Sequence, residues 1–512
     1  MAPPVAVHRT WPWRVLALGL AGVAMFPLRH EFPPITDFAE HAATIATLED
    51  LWRHGPLEAW YQADFVHTQY WLMAVLGALL SPLVGGASFA LKLLLISASV
   101  GLVASLLRLA RNLELDERMA LVAVPLLWSR PFTLGFVPFV MAAPLVVLAL
   151  AEVAAVERPS RRQHLLIGAL SLATFFLNLA SVAWLLVAAV AVSAARELTL
   201  STWRASLRPV LSRLASVLVL IPLVGVWLAF SSVTNVDTSR FAVSMKGQWW
   251  SPFHLLQDAP TWLMDRWKGD LDVRLLVVLL VAVVALLLPL GAREVSPGRR
   301  VAVALWVATS SLTLALPFER GWLWGLNTRF LPLAVMLAPL AFAHRRGLLR
   351  HLVVACFIGV ALVTAWDVER HVAAAQVELE GVSLLRGLPP GRLLQLTFDD
   401  SSSVFEDSTV SHASAWHRVW NHGANEPSFV DLPQSVVRYR EGKAPWTRPW
   451  PWEFSPQAYD NTREGPHDFV LTRGAGPSFP PPPEVAGPRW KLLREAGAWR
   501  LWAKEAEPAM HE

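Results

Sequence analysis

The feature that most restricts this chain is the alternation of long, nearly charge-free apolar blocks with short clusters of arginine. Charged residues make up 16% of the 512 residues, against about 25% in soluble domains. The blocks therefore read as bilayer-crossing helices rather than pieces of a water-soluble core. Arginines gather at 108, 111 and 118; at 158, 161 and 162; at 196, 204, 208 and 213; at 293, 299 and 300; and at 345, 346 and 350. Placing all of them in the cytoplasm fixes the path of the chain. The spans are then 15–28, 88–110, 119–129, 134–156, 165–177, 180–195, 212–230, 275–290, 301–317, 330–344 and 352–366, about eleven crossings. The stretch 164–195 is too long for one crossing, about 48 Å as a single helix, and is read as two short spans turning near Asn178. A net charge of +4 gives no footing for nucleic acid.

Residues 70–84 break the parity. A full crossing there would put the cluster at 108–118 outside, and the run is short and holds Gly77 and Pro82. It is read as a re-entrant or interfacial helix on the outer side. The loops 29–70, 129–133, 231–274 and 318–329 then share the outer face, the third with a Trp-rich, alternately charged pattern suited to helices lying on the membrane. Composition changes after residue 366. Segments 392–398, 468–472 and 499–502 have strand character, separated by Pro-rich and Trp-rich loops. The expected fold is an all-α polytopic membrane bundle over 1–366 with a small extracytoplasmic α/β domain over 367–512. The single cysteine, Cys356, permits neither a disulfide within the chain nor a cysteine metal site.

Chemistry is expected on the outer face. Asp37 opens an amphipathic helix with Phe38, Ala42, Ile45 and Trp52 on one side. A carboxylate at that place can act as a general base toward an acceptor hydroxyl. The same residue is also a natural N-cap, and Glu40 three residues on completes a variant of the capping box. His41 fits the polar face of that helix. In the C-terminal domain His412, His417 and His422 are spaced by five, which does not bring imidazoles to one helical face. Tyr439, Trp446, Trp450 and Trp452 could stack on sugar rings or fill the domain's core. Ion-coupled transport is disfavoured, because the spans hold almost no ionisable group beyond Glu152 and Lys92.

A first span, an outer loop opening with Asp37 at an amphipathic helix, and Tyr70-Trp-Leu-Met ahead of Gly85-Gly-Ala-Ser-Phe-Ala-Leu-Lys92 together resemble the GT-C glycosyltransferases. So do the short paired spans, the segment Leu134-Gly-Phe-Val-Pro-Phe139 and an external C-terminal domain. The resemblance covers roughly the first 366 residues. It implies a polyprenyl-phosphate sugar donor, a lipid or glycan acceptor, surrounding membrane lipids as partners, and a multi-pass protein of a bacterial inner membrane. It makes Asp37 the base, with Glu40 as the second acidic candidate. Such enzymes often hold a divalent cation through a further acidic motif in the next outer loop, but Ser129-Arg-Pro-Phe-Thr133 has no acid here. Cations would then stabilise the phosphate: Arg130, or Arg240, Lys246, Arg320 and Arg329. A non-catalytic carrier-binding or scaffold protein of the same layout is the alternative. The orientation predicts that a cysteine at Ser402 reacts with an impermeant thiol reagent in intact cells while one at Ser296 does not; the opposite pattern overturns it.

Overall fold

The computed structural model describes residues 11–155, 159–197, 203–230, 247–287, 296–320, 323–343, 348–432, 434–443, 455–459, 467–476, 479–481 and 487–505. The membrane part is built from α1 (Trp11–Ala24), α2 (Phe38–Trp52), α3 (Leu72–Val84), α4 (Ala87–Asn112), the short α5 (Arg130–Thr133), α6 (Val137–Ala155), α7 (Arg161–Leu177) and α8 (Leu179–Glu197). It continues through α9 (Trp203–Leu218), α10 (Leu220–Phe230), α11 (Pro252–Leu263), α12 (Leu271–Leu287), α13 (Pro297–Ala315), α14 (Leu331–Phe342) and α15 (Leu348–Leu379). Among the described residues five helices are long and apolar enough to cross a bilayer. They are Ala87–Asn112, Val137–Ala155, Leu179–Glu197, Ser206–Phe230 and Leu348–Leu385.

Local signals account for several breaks. Asn178 is extended between α7 and α8, and its Oδ1 accepts from the Ser181 N–H at 3.0 Å, capping α8. The helix α3 stops at Gly85, which is left-handed at φ 91°, a conformation glycine adopts freely. One expected span differs in kind. Glu117–Trp128 is a 12-residue 3-10 helix, not an α-helix, and every residue from Met119 to Trp128 is buried. It packs against α1, α4, α14 and α15, so it is a central rod rather than a lipid-facing span. Pro125 within it disfavours the α-helical hydrogen-bond ladder. The few charges of the spans are satisfied internally: Glu152 accepts from Arg108 at 3.0 Å and Lys92 donates to the carbonyl of His30 at 2.7 Å. The ends of α4, α8, α9 and α13 meet around a polar cavity of about 1030 Å³ lined by Asn112, Glu114, Arg196, Arg208 and Arg300. Three of the arginine clusters thus share one pole of the bundle.

At the other pole, α15 passes the boundary expected at 366 without a break and carries the chain into the C-terminal domain. There β2 (Arg392–Thr397), α16 (Ala415–Asn421), β3 (Ala424–Glu426), β5 (Phe469–Arg473), β6 (Trp490–Ala496) and β7 (Trp499–Lys504) form a sheet of order β3-β2-β5-β7-β6 with α16 beside it. β2 runs parallel to β3 and β5, and β7 is antiparallel to both of its neighbours. β4 (Val437–Tyr439) leaves this sheet and pairs antiparallel with β1 (Tyr61–Ala63) of the first outer loop. The domain is therefore woven into the 29–70 loop rather than appended to the bundle.

Ser402 is 5% exposed, with its hydroxyl on Glu378, and Gln69 is 1% exposed, so the exposed Asp400 and Val66 make better labelling positions. α3 has 13 residues, about 20 Å of helix, against a hydrocarbon core of about 30 Å. With α3 re-entrant, cysteines at Val66 and Ser88 both label from outside in intact cells. Labelling of Ser88 only after permeabilisation would make α3 a true crossing.

Candidate active site

Asp37 stands immediately ahead of α2, yet its side chain makes no cap hydrogen bond. The backbone explains this. At φ −93° and ψ 5° it lies outside the extended region from which N-caps reach back to the N2 or N3 amide, so the capping box expected with Glu40 is not formed. The backbone at Asp37 is held by the loop after the 3-10 rod. The Thr36 N–H donates to the carbonyl of Thr133 at 2.9 Å, and Gly135, at φ 87°, lies so close that an added Cβ would come 2.7 Å from Asp37 Cβ. His41, one turn further along α2, donates from Nε2 to the Gly135 carbonyl at 2.9 Å. Enclosure pushes its imidazole below the ordinary value, against the opposing pull of Asp37.

Glu40 has another place. It is completely buried, as is Arg418 of α16, whose Nη2 lies 3.1 Å from Oε2. Asn425 Nδ2 donates to Oε1 at 2.7 Å and the Phe429 N–H to Oε2 at 3.0 Å. Both carboxylate oxygens are engaged, and Glu40 does not line the cavity that Asp37 faces. It joins α2 to the C-terminal domain.

That cavity has a volume of about 280 Å³. Asp37, His41 and Thr44 of α2 form one side. Tyr70, Met73, Phe136, Phe139 and Trp324 supply aromatic and apolar walls, and Phe429, Leu432 and 434–436 of the C-terminal domain close it. Arg329 faces it from the loop before α14. Its guanidinium lies 3.7 Å from the Phe136 ring centroid and is fixed by bonds to the carbonyls of Trp324, at 2.7 Å, and Gly325, at 3.2 Å. Of the other expected cations, Arg130 and Arg320 do not line this cavity. Arg130 pairs with Asp407 at 2.8 Å and lies over the rings of Trp262 and Trp324, behind the wall. Arg320 is exposed in the tip of its loop. Arg240 and Lys246 lie outside the described residues, as do Trp446, Trp450 and Trp452. Tyr439 sits in β4 with its ring 5.1 Å from that of Tyr61.

The three histidines diverge. His412 Nε2 is 3.3 Å from Asp37 Oδ1, His417 contacts the Gly391 carbonyl, and His422 Nδ1 is 3.5 Å from Asp50. Among the described residues no three His, Cys, Asp or Glu side chains are grouped as a metal site needs. Sequence reasoning missed His412 as a neighbour of Asp37, and missed Arg266, whose Nε donates to Thr133 Oγ1 at 2.9 Å and which also pairs with Asp407.

Glu40 and Asp37 should therefore respond differently to substitution. Glu40→Ala leaves Arg418 buried without its partner, an expected loss of about 3–5 kcal/mol, seen as a lower melting temperature of the purified protein. Asp37→Asn, which breaks no cap and no buried bidentate pair, leaves the melting temperature near that of the parent.

No protein-family profile matches this sequence, and neither does any curated protein. Comparison of folds does give a match: the crystal structure of ArnT from Cupriavidus metallidurans in the apo state, with a TM-score of 0.50 over 96% of this chain and 98% of ArnT, at 13% sequence identity. The agreement runs through bundle and C-terminal domain alike, beyond the first 366 residues that carried the resemblance in sequence. This chain shares the fold of ArnT over nearly its whole length, in an integral membrane protein.

Proposed function

We propose that the chain is a membrane glycosyltransferase that moves a sugar from a polyprenyl-phosphate donor to a lipid or glycan acceptor on the outer side of a bacterial inner membrane. The observation that carries this reading is the shared cavity: a carboxylate, Asp37, and a guanidinium, Arg329, face one apolar-walled space. A volume of about 280 Å³ is at the small end for ligand pockets, about 300–1,000 Å³. It suits the sugar-phosphate head of a donor whose chain stays in the bilayer. The acceptor hydroxyl gives its proton to Asp37 as its oxygen bonds to the anomeric carbon. The bond from that carbon to the phosphate oxygen breaks, and the electron pair leaves with the polyprenyl phosphate. Arg329, already oriented by two backbone carbonyls, stabilises that negative charge without reorganising. Phe136, Phe139 and Trp324 offer flat apolar faces for the sugar and lower the local dielectric. The topology that goes with this reading has about eleven crossings, with the C-terminal domain and the cavity outside.

Mass spectrometry of lipid extracted from the purified protein tests the donor class, and a polyprenyl-phosphate sugar is expected. Asp37→Asn should retain that lipid yet lower transfer by a factor of about 10²–10⁴, and an active Asn variant would end the claim for this residue. Arg329→Gln should lower both donor retention and turnover, the latter by about 10²–10³. The missing acid in Ser129–Thr133 favours one other reading, a non-catalytic carrier-binding protein; bound donor with no turnover by the parent protein would establish it.

A further inference from the structure

The C-terminal domain reaches the Asp37 carboxylate itself. Residues 404–412 of that domain lie as a strap across the outer loops of the bundle. Lys268 N–H donates to the Val404 carbonyl at 2.8 Å and Glu406 N–H to the Arg266 carbonyl at 3.1 Å, bracketing an antiparallel bridge between Trp267 and Phe405. Asp407 then pairs with both Arg130 and Arg266. Thr36 Oγ1, next to Asp37, donates to the Ser408 carbonyl at 2.9 Å. The strap ends at His412, which is 7% exposed, with Nε2 3.3 Å from Asp37 Oδ1 and its ring 5.1 Å from that of Phe429.

We propose that His412 is the positioning residue for the base, and that the C-terminal domain supplies it. This rests on the reading of Asp37 as the base. A base oriented by a third group is the general arrangement of activated sites. With its N–H toward Oδ1, the imidazole holds one carboxylate oxygen and leaves the other for the acceptor hydroxyl. His41 cannot take this role, because its Nε2 is committed to the Gly135 carbonyl. The anchoring at 404–408 fixes the strap within five residues of His412, so rotation of the carboxylate is restrained by the same contacts that dock the domain. The domain thus belongs to the catalytic centre.

The test uses the full chain in lipid nanodiscs and reads release of polyprenyl phosphate from polyprenyl-phosphate-linked mannose, glucose or arabinose, with host membrane lipid extract as acceptor. Parent, Asp37→Asn, His412→Ala, His412→Gln and the Asp37→Asn/His412→Ala pair are compared using the donor that the parent turns over. His412→Ala is expected to lower kcat by up to about 10²-fold with donor KM within about twofold of the parent. His412→Gln, which keeps an amide N–H near the place of Nε2, is expected to recover most of that loss. In the Asp37→Asn background His412→Ala should change nothing further, since it acts only through the carboxylate. Parent-like kcat in His412→Ala while Asp37→Asn is inactive overturns the positioning role alone. So does an additive effect in the double variant, or a Gln variant as slow as Ala with an unchanged melting temperature. Full activity of Asp37→Asn, or a parent that turns over none of the donors, removes the underlying reading of the site and this inference with it.

Discussion

The buried ion pair between Glu40 and Arg418 is the contact on which the joint between α2 and the C-terminal domain depends. Two fully desolvated charges are costly unless most of their remaining valences are met, and here Asn425, Ser428 and the Phe429 amide meet them except at Arg418 Nε. The pair fixes α2 against α16 and the 425–429 segment. Asp37 begins the same helix and Phe429 closes the cavity that Asp37 faces. Glu40 therefore sets the distance between Asp37 and the residue that roofs its cavity.

A second set of contacts acts from the opposite side. Gly135 allows the loop after the 3-10 rod to approach Asp37 more closely than any side chain would permit. The rod beneath that loop is enclosed by helices on several sides, so the loop rests on a rigid support. Arg130 and Arg266 tie the same loop to Asp407. They are held between bundle and domain, where a guanidinium with aromatic faces on one side and a carboxylate on the other is well accommodated. Among the described residues the cation facing the cavity is Arg329, whose orientation comes from the backbone of its own loop.

The apolar spans and their arginine-rich ends were legible in the sequence because both are local consequences of the bilayer: hydrocarbon excludes charge over the length of a helix, and the flanks record orientation. The break at Asn178, the helix opened by Asp37, and the strands β2, β5 and β7 were legible for the same reason, since each is written in a few consecutive residues. The edge strand β6 was not, because its side chains are almost all exposed and it lacks the half-buried alternation that marks a strand. The 3-10 rod read as an ordinary span because hydropathy cannot tell a helix facing lipid from one enclosed by other helices.

Among the candidate site residues, sequence alone marked Asp37 as an acid at the start of an amphipathic helix. It could not decide between base and cap, because a cap depends on the backbone angles of one residue, and those are imposed by packing against Gly135. Nor could it separate Glu40 from Asp37, because the partner that removes Glu40 from the cavity is 378 residues away. Arg130 and Arg329 looked equivalent as outer-loop cations; only the tertiary structure turned one toward Asp407 and the other toward the cavity. His412 carried no local mark at all, since its contact with Asp37 exists only once the strap is laid across the bundle. The bilayer writes its demands into consecutive residues, whereas a site assembled from distant loops is specified by which buried charges find each other when the chain closes.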